Sequence, residues 1–130
     1  MVAKTLSPAR TALIVEDDPS LRKLVTQLLK VMNFTVSEVP DGAKAMVALK
    51  ETTVDLVVLD LNLPESSGFD VLEFIRKEVA TKPPILMMSA RGLPEDRALA
   101  IELGAALYLK KPFTHSEFTQ SVRTVLEGKT

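Results

Sequence analysis

Three carboxylates stand directly after two short apolar runs. Glu16 and Asp17 follow the run at residues 12–15. Asp60 follows the run at residues 56–59. If the two runs are neighbouring parallel strands, their carboxyl ends meet in one crevice, which is where open α/β sheets bind their ligands. Carboxylates packed together raise one another's pKa unless a cation joins them, so this spacing predicts a metal site.

The available ligand types narrow the choice of metal. The chain has no cysteine, and its one histidine, His115, is distant in sequence from the acids. Oxygen ligands favour a hard ion, so we predict Mg²⁺, with Mn²⁺ as the alternative, rather than zinc or copper. One of the three acids is then available for a role other than metal binding.

Composition excludes several classes of function. A chain of 130 residues, 46% of them apolar, suits one compact domain with its own core. The net charge of -1, with both signs interspersed, shows neither a basic nucleic-acid footprint nor a polybasic membrane patch. No run approaches the roughly 20 apolar residues of a membrane span. We expect a cytoplasmic protein that contacts neither nucleic acid nor membrane through this domain.

Apolar runs and helical patterns alternate along the chain. The runs that predict strands are residues 12–15, 35–39, 56–59, 85–88 and 106–109. A stretch with apolar residues at helical spacing follows each of them. This alternation implies a parallel sheet covered by helices on both faces, with right-handed crossovers. We predict one domain over residues 11–128, preceded by an N-terminal extension of residues 1–10.

Two helix starts are specified by their local sequence. Asp18 before Pro19 is typical of an N-cap, so we leave Asp18 out of the metal site. Residues 114–117 match a capping box, with Phe113 and Phe118 as its hydrophobic staple. His115 falls inside this cap, where we expect it to be exposed and without a functional role.

Four segments at predicted strand ends carry a family resemblance. They are IVEDDP at 14–19, VVLDLNLP at 57–64 with Gly68, MSA at 88–90, and YLKKPF at 108–113. Together and in this order they resemble the receiver domain of two-component response regulators, in the CheY-like superfamily. The resemblance implies a flavodoxin-like sheet of five parallel strands, in order 2-1-3-4-5, with five helices. It also implies phosphorelay signalling, with a sensor histidine kinase or a histidine phosphotransfer protein as the phosphoryl donor.

The same resemblance implies roles for the acids. Asp60 is the expected phosphoacceptor. Asp17 is expected to bind Mg²⁺ directly and Glu16 through water, because magnesium usually keeps several waters. Asp60 itself and the main-chain carbonyl of Asn62 complete the expected ligand set. The Asn62 side chain, together with Arg91, is expected to set the lifetime of the phosphoryl group.

Three further residues receive roles from the resemblance. Ser89 is expected to donate its hydroxyl to a phosphoryl oxygen. Lys111 is the expected counter-charge, rather than Lys110, because the family's lysine directly precedes a proline; a cis bond into Pro112 is also implied. Tyr108 matches an aromatic switch whose ring turns from exposed to buried as Ser89 moves inward. The alternative for Tyr108 is an ordinary half-buried tyrosine of a strand.

The expected output is a change of surface. The fourth helix, fifth strand and fifth helix would present this surface to a downstream protein effector, and the chain would be a monomer or a weak dimer through the two helices. We predict a signalling switch that catalyses only its own phosphorylation and dephosphorylation. A receiver-shaped interaction module that works without phosphorylation is the alternative. The sequence leaves open whether the chain is a single-domain regulator or part of a longer protein.

Two other classes of protein fit the residues less well. A haloacid-dehalogenase-type phosphatase needs a second aspartate two positions after its nucleophile, where this chain has Asn62. A dinucleotide-binding domain needs a glycine-rich turn after the first strand. Residues 16–18 are instead three acids, which repel phosphate in the absence of a metal.

Overall fold

The computed structural model describes residues 9–128, in which five strands alternate with five helices. The elements are β1 (Arg10–Val15), α1 (Pro19–Val31), β2 (Phe34–Val39), α2 (Gly42–Glu51), β3 (Leu56–Asp60), α3 (Gly68–Glu78), β4 (Ile85–Ser89), α4 (Pro94–Glu102), β5 (Leu107–Lys110) and α5 (His115–Leu126). The predicted extension of residues 1–10 lies outside the described residues except for Ala9 and Arg10. Within the described range, no helix is long and apolar enough to cross a membrane.

The sheet is parallel throughout, in the order β2-β1-β3-β4-β5, which confirms the predicted fold. β1 starts two residues before its apolar run because Arg10 and Thr11 pair with Phe34 and Thr35 of β2. The strand order reverses between β1 and β3. The chain first adds β2 on one side of β1 and then crosses over to place β3 on the other side. Such a reversal opens a crevice at the carboxyl ends of the two strands.

A hydrophobic core lies on each face of the sheet, because successive side chains of a strand point to opposite faces. Leu13 and Val15 of β1 pack in the core formed with α2, α3 and α4. Ala12 and Ile14 pack in the opposite core, with α1 and α5. Burial on both faces explains why the central strands are continuous apolar runs.

The predicted caps of α1 and α5 are both present. The Asp18 side chain accepts a hydrogen bond from the Ser20 N–H at 3.0 Å. The Thr114 hydroxyl accepts from the Glu117 N–H at 3.0 Å, and the Glu117 carboxylate accepts from the Thr114 N–H at 2.8 Å. The Phe113 and Phe118 rings stack with centroids 5.5 Å apart, as the staple requires. His115 is exposed, as predicted.

Candidate functional site

The three acids converge at the carboxyl ends of the two central strands. Glu16 and Asp17 follow the last residue of β1, and Asp60 is the last residue of β3. Val15 and Leu59 are paired neighbours in the sheet, so the residues that follow them lie side by side. One carboxylate oxygen from each acid lies within 4.8 Å of the others. The predicted acidic cluster is therefore present.

Two of these carboxylates are buried. Glu16 is 1% exposed and Asp60 is 3% exposed, whereas Asp17 faces solvent. Burial raises the pKa of both buried acids, because it penalises the charged form. Repulsion adds to the rise: the charge of Asp60 raises the pKa of Glu16, and the charge of Asp17 raises the pKa of Asp60.

Lys111 provides the positive charge nearest to the acids. Its ammonium nitrogen donates to Glu16 Oε1 at 3.0 Å and lies 3.2 Å from Asp60 Oδ1. Burial acts to lower the pKa of Lys111, but the charges of Asp60 and Glu16 outweigh it, so the pKa is raised and the ammonium stays charged. One ammonium group thus faces three carboxylates, which leaves an excess of negative charge at the crevice.

The Asp60 carboxylate has an oxygen without a hydrogen bond. Oδ1 is buried and, among the described residues, accepts no hydrogen bond; its nearest cation is the Lys111 ammonium, 3.2 Å away. Both Glu16 oxygens are occupied, Oε1 by Lys111 and Oε2 by the Asp18 N–H at 3.0 Å. A buried carboxylate oxygen without a hydrogen bond is costly, and the Lys111 ammonium is shared with Glu16, so a hard cation would satisfy it. These residues therefore fit an Mg²⁺ ion.

The main chain after Asp60 is held tightly by the start of α3. A Cβ atom at Gly68 would lie 2.6 Å from the Asp60 carbonyl oxygen and 2.9 Å from Leu61 Cα, so only glycine fits. The Gly68 N–H donates to the Leu61 carbonyl at 2.7 Å, and Asn62 forms an antiparallel bridge with Ser67. The loop that carries Asn62 thus closes on itself, with the Asn62 side chain exposed.

A capping box that the sequence analysis missed starts α3. Ser67 Oγ accepts from the Phe69 N–H at 3.1 Å, and the Asp70 carboxylate accepts from the Ser67 N–H at 3.1 Å. The signal was available as serine followed three residues later by an acid.

Arg22 is a second residue that the sequence analysis missed. It lies in the second turn of α1, and its Nη1 donates to the Glu16 carbonyl at 2.8 Å. Its Nε also pairs with the Glu38 carboxylate of β2 at 3.3 Å. Arg22 therefore anchors the main chain that carries the two adjacent acids. An arginine on the helix that follows an acidic strand end was the available signal.

Ser89 and Lys111 meet at the same edge of the sheet. Ser89 is the buried last residue of β4, and its carbonyl accepts from the Lys111 N–H at 2.7 Å. Ser89 Oγ accepts from the Arg91 N–H at 3.0 Å. Lys110 is exposed, and the bond between Lys111 and Pro112 is cis, as the family resemblance implied.

The Tyr108 ring is buried in this structure, with 4% of the residue exposed. Its hydroxyl donates to the Arg91 carbonyl at 3.1 Å. The Arg97 guanidinium lies 5.4 Å from the ring centroid, within the range of a cation–π contact. The ring is thus already inside and is more buried than the half-buried tyrosine of the alternative interpretation.

A largely apolar depression lies beside Lys111. Its volume is about 410 Å³, and it opens between the start of α1 and the loop from β5 to α5. Its lining includes Leu21, Leu24, Ala90, Pro112 and Phe113. An apolar side chain of another molecule could therefore be buried next to the acidic crevice.

Comparisons with known proteins agree with this geometry. The family model of the response regulator receiver domain matches residues 12–123. The transcriptional regulatory protein CpxR of Klebsiella pneumoniae is 40% identical over 114 residues, which are 88% of this chain and 48% of CpxR. The phosphate regulon transcriptional regulatory protein PhoB of Klebsiella pneumoniae is 35% identical over 119 residues, 91% of this chain and 52% of PhoB.

A solved structure matches over almost its whole length. The chemotaxis response regulator CheY4 of Vibrio cholerae superposes with a TM-score of 0.85 and 28% identity, covering 91% of this chain and 99% of CheY4. The chain spans only about half the length of the curated relatives it matches. The family model covers most of the chain, including the acids, Ser89, Tyr108 and Lys111. The chain therefore belongs to the response regulator receiver domain family.

Proposed function

We propose that Asp60 accepts a phosphoryl group and that this modification switches the surface of the protein. The observation that carries the proposal is the Asp60 carboxylate itself. It is buried at the end of a central strand, close to a protonated lysine, and has an oxygen without a hydrogen-bond partner among the described residues. Mg²⁺ bound at that oxygen would leave the second carboxylate oxygen of Asp60 to attack phosphorus.

The proposed donor is a phosphohistidine of a sensor histidine kinase or of a histidine phosphotransfer protein. A carboxylate oxygen of Asp60 forms a bond to phosphorus as the phosphorus–nitrogen bond breaks on the opposite side. The departing imidazole nitrogen keeps the electron pair and takes up a proton. The product is an acyl phosphate on Asp60. Hydrolysis by water later returns the carboxylate and inorganic phosphate, so the only catalysis acts on this chain's own side chain.

The magnesium ligands would be the carboxylates of Glu16, Asp17 and Asp60 and the main-chain carbonyl of Asn62. Since both Glu16 oxygens already accept hydrogen bonds, contact through water suits Glu16 and direct contact suits Asp17. When bound, Mg²⁺ supplies positive charge that offsets the repulsion between the acids and the phosphoryl oxygens. Mn²⁺ has a similar preference for oxygen ligands and could replace it.

Lys111 and Ser89 would stabilise the phosphoryl group. The Lys111 ammonium, 3.2 Å from Asp60 Oδ1, is placed to pair with a phosphoryl oxygen once Asp60 is modified. The Ser89 hydroxyl accepts one hydrogen bond from Arg91, so its own proton is available to donate to another phosphoryl oxygen. Ala90 and Asn62 are both exposed.

The depression beside Lys111 is the proposed contact for the phosphoryl donor. It is apolar and adjoins the acidic crevice, so a helix that presents a phosphohistidine could bury an apolar side chain there. The downstream partner is proposed to be a protein effector that reads α4, β5 and α5. A monomer, or a weak dimer through α4 and α5, in the cytoplasm completes the proposal.

Phosphate labelling with a small donor tests the proposal. The protein is incubated with Mg²⁺ and acetyl phosphate, and the adduct is located by intact-mass and peptide mass spectrometry. We expect one added phosphoryl group on Asp60, lost in the Asp60→Asn variant and on addition of a chelator. An adduct that persists in Asp60→Asn overturns the assignment.

Asp18→Asn is the matched control. It removes the neighbouring carboxylate outside the acidic cluster, and asparagine caps helices as well as aspartate does, so labelling should remain. Absence of any adduct on the folded wild type would instead favour the interaction module that works without phosphorylation.

A further inference from the structure

Arg91 joins three parts of the molecule through three different groups. Its N–H donates to Ser89 Oγ at the end of β4, at 3.0 Å. Its carbonyl accepts from the Tyr108 hydroxyl of β5, at 3.1 Å. Its guanidinium donates to Asp96 Oδ2 in the first turn of α4, at 2.7 Å. The position of one residue is therefore linked to a proposed phosphoryl contact, to the buried ring and to a helix.

Asp96 is the fixed end of this arrangement. It is 8% exposed although it is acidic and lies in the first turn of α4, whereas residues 90–95 are all exposed. The carboxylate makes a short charge-assisted hydrogen bond to Arg91, the geometry expected of the stronger ion pairs. The helix start offers no substitute, because Leu93 at the N-cap position provides no side-chain cap.

We infer that Asp96 is a positioning residue that acts through Arg91. By holding the guanidinium, it keeps the main chain of residues 90–93 where the Arg91 N–H reaches Ser89 and the Arg91 carbonyl reaches Tyr108. The state of Ser89 is thereby coupled to Tyr108 and α4. The coupling to phosphorylation rests on the proposed function, whereas the placement of Tyr108 by Asp96 does not.

The alternative role of Asp96 is favourable interaction with the helix dipole. Acids in the first turn of a helix are stabilising wherever they point. Glu95 occupies the same turn of α4 but is exposed, and Arg91 pairs with Asp96 rather than with it. Glu95→Gln therefore removes a first-turn charge and keeps the Arg91 contact, whereas Asp96→Asn removes the charge that binds Arg91.

The fluorescence of Tyr108 can be used to test this inference. Tyr108 is the only tyrosine, and the chain has no tryptophan. Intrinsic fluorescence therefore reports on this ring alone. Quenching by acrylamide is measured on unphosphorylated wild type, Asp96→Asn, Glu95→Gln and Arg91→Ala. Arg91→Ala removes the guanidinium but retains the main-chain groups that bind Ser89 and Tyr108.

Loss of the ion pair between Arg91 and Asp96 should expose the Tyr108 ring. We expect the ratio of conformations with the Tyr108 ring exposed to conformations with it buried to rise about fivefold in Asp96→Asn and in Arg91→Ala, equivalent to about 1 kcal/mol. Glu95→Gln should match the wild type. The double variant Asp96→Asn with Arg91→Ala should add nothing to either single variant, because both remove the same interaction. Equal quenching of wild type and Asp96→Asn, or full additivity in the double variant, overturns the inference.

The same variants test the coupling. Mg²⁺ and acetyl phosphate are added, and the change in Tyr108 fluorescence is divided by the fraction of phosphorylated chain from intact mass. We expect a smaller change per phosphoryl group in Asp96→Asn than in Glu95→Gln; equal changes would overturn the coupling. If no chain is labelled, the proposed function fails, and the quenching measurement still decides the role of Asp96. If Asp96→Asn does not fold, Arg91→Ala against Glu95→Gln decides it.

Discussion

The two sides of the crevice are held in different ways. The side with the acids is carried by the central strands β1 and β3, and α3 begins against it with a capping box and with Gly68, at which a Cβ would collide with the main chain. The side with Ser89 and Tyr108 ends in the exposed residues 90–95, and α4 has nine residues and no side-chain cap. One side is fixed before any ligand binds, and the other is held by a few polar contacts.

This difference suits a switch. The proposed transfer of a phosphoryl group to Asp60 needs the acids and Lys111 in place beforehand, because a preorganised site avoids the cost of ordering them. A change of surface needs an element with two arrangements of similar free energy. The β4–α4 loop depends on three single hydrogen bonds of Arg91, which donates to Ser89 and to Asp96 and accepts from Tyr108, so a modest interaction can change its conformation.

Alanine in place of two glycines should give the largest contrast between the sides. At Gly68 the added Cβ meets main-chain atoms of Asp60 and Leu61, which cannot move independently. We expect Gly68→Ala to lower the free energy of unfolding by about 3 kcal/mol, near the upper end for overpacking. At Gly92 the Cβ meets only the flexible Lys110 side chain, so Gly92→Ala should change stability by less than about 0.5 kcal/mol. Urea denaturation measures both; equal losses would break the comparison.

Magnesium should stabilise the side with the acids. At a concentration about 100 times its Kd, an ion that binds only the folded chain adds about 2.7 kcal/mol to the free energy of unfolding. Thermal denaturation with Mg²⁺ and with chelator measures this gain. Asp17→Asn should lose most of it, since Asp17 is the acid proposed to bind the ion directly. Amide chemical shifts should move near Glu16 and Asp60 more than in residues 90–95.

The buried acids should make the metal-free protein less stable as the pH rises. Burial raises the pKa of Asp60 and Glu16 in the folded chain. Between the ordinary carboxyl value and the raised one, the folded chain binds more protons than the unfolded chain. The free energy of unfolding therefore falls with rising pH across this window.

Asp60→Asn should weaken that pH dependence. It removes the buried charged oxygen that lacks a hydrogen bond, so at neutral pH it should add about 1 kcal/mol to the stability of the metal-free protein. Chemical denaturation in chelator from mildly acidic to neutral pH compares the variant with the wild type. A variant less stable than the wild type at neutral pH would mean that the pair with Lys111 outweighs the burial of Asp60.

A new helix cap on α4 should stabilise the side with Ser89 and Tyr108. We expect the smallest change in stability from this substitution. Leu93 has extended backbone angles suited to an N-cap and is 42% exposed, so Leu93→Ser can supply the missing side-chain acceptor at little cost in buried area. We expect about 0.5 kcal/mol of added stability, the low end for helix caps. Slower hydrogen exchange should be confined to the first turn of α4. Slowing in α3 as well would show that the two sides are not independent.

The fold was predictable because its pattern is local. Continuous apolar runs such as residues 56–59 mark strands buried on both faces, and the caps at Asp18 and Thr114 mark where helices begin. Neither depends on a distant contact. The ends of the strands shifted by up to two residues, since the pairing of Arg10 with Phe34 is a property of two segments together.

The candidate site was predictable in its residue types and not in its geometry. Acids at the ends of adjacent parallel strands had to converge, and the family resemblance pointed to Ser89 and to Lys111, of which Lys111 lies 3.2 Å from Asp60. The close approach of Gly68 to Asp60 had no comparable signal, and the arginine on α1 was only a weak signal for the bond from Arg22 to Glu16, because each depends on how helices pack against strand ends.

The sequence by itself therefore determined the order of elements, the parallel sheet and the acidic strand ends, since periodicity and chain direction are enough to specify them. Only the tertiary structure decided that Asp60 Oδ1 is buried without a hydrogen bond, which acid of α4 binds Arg91, and that the Tyr108 ring lies inside. These features depend on distances of a few ångströms between side chains far apart in sequence, and such distances follow from packing rather than from pattern.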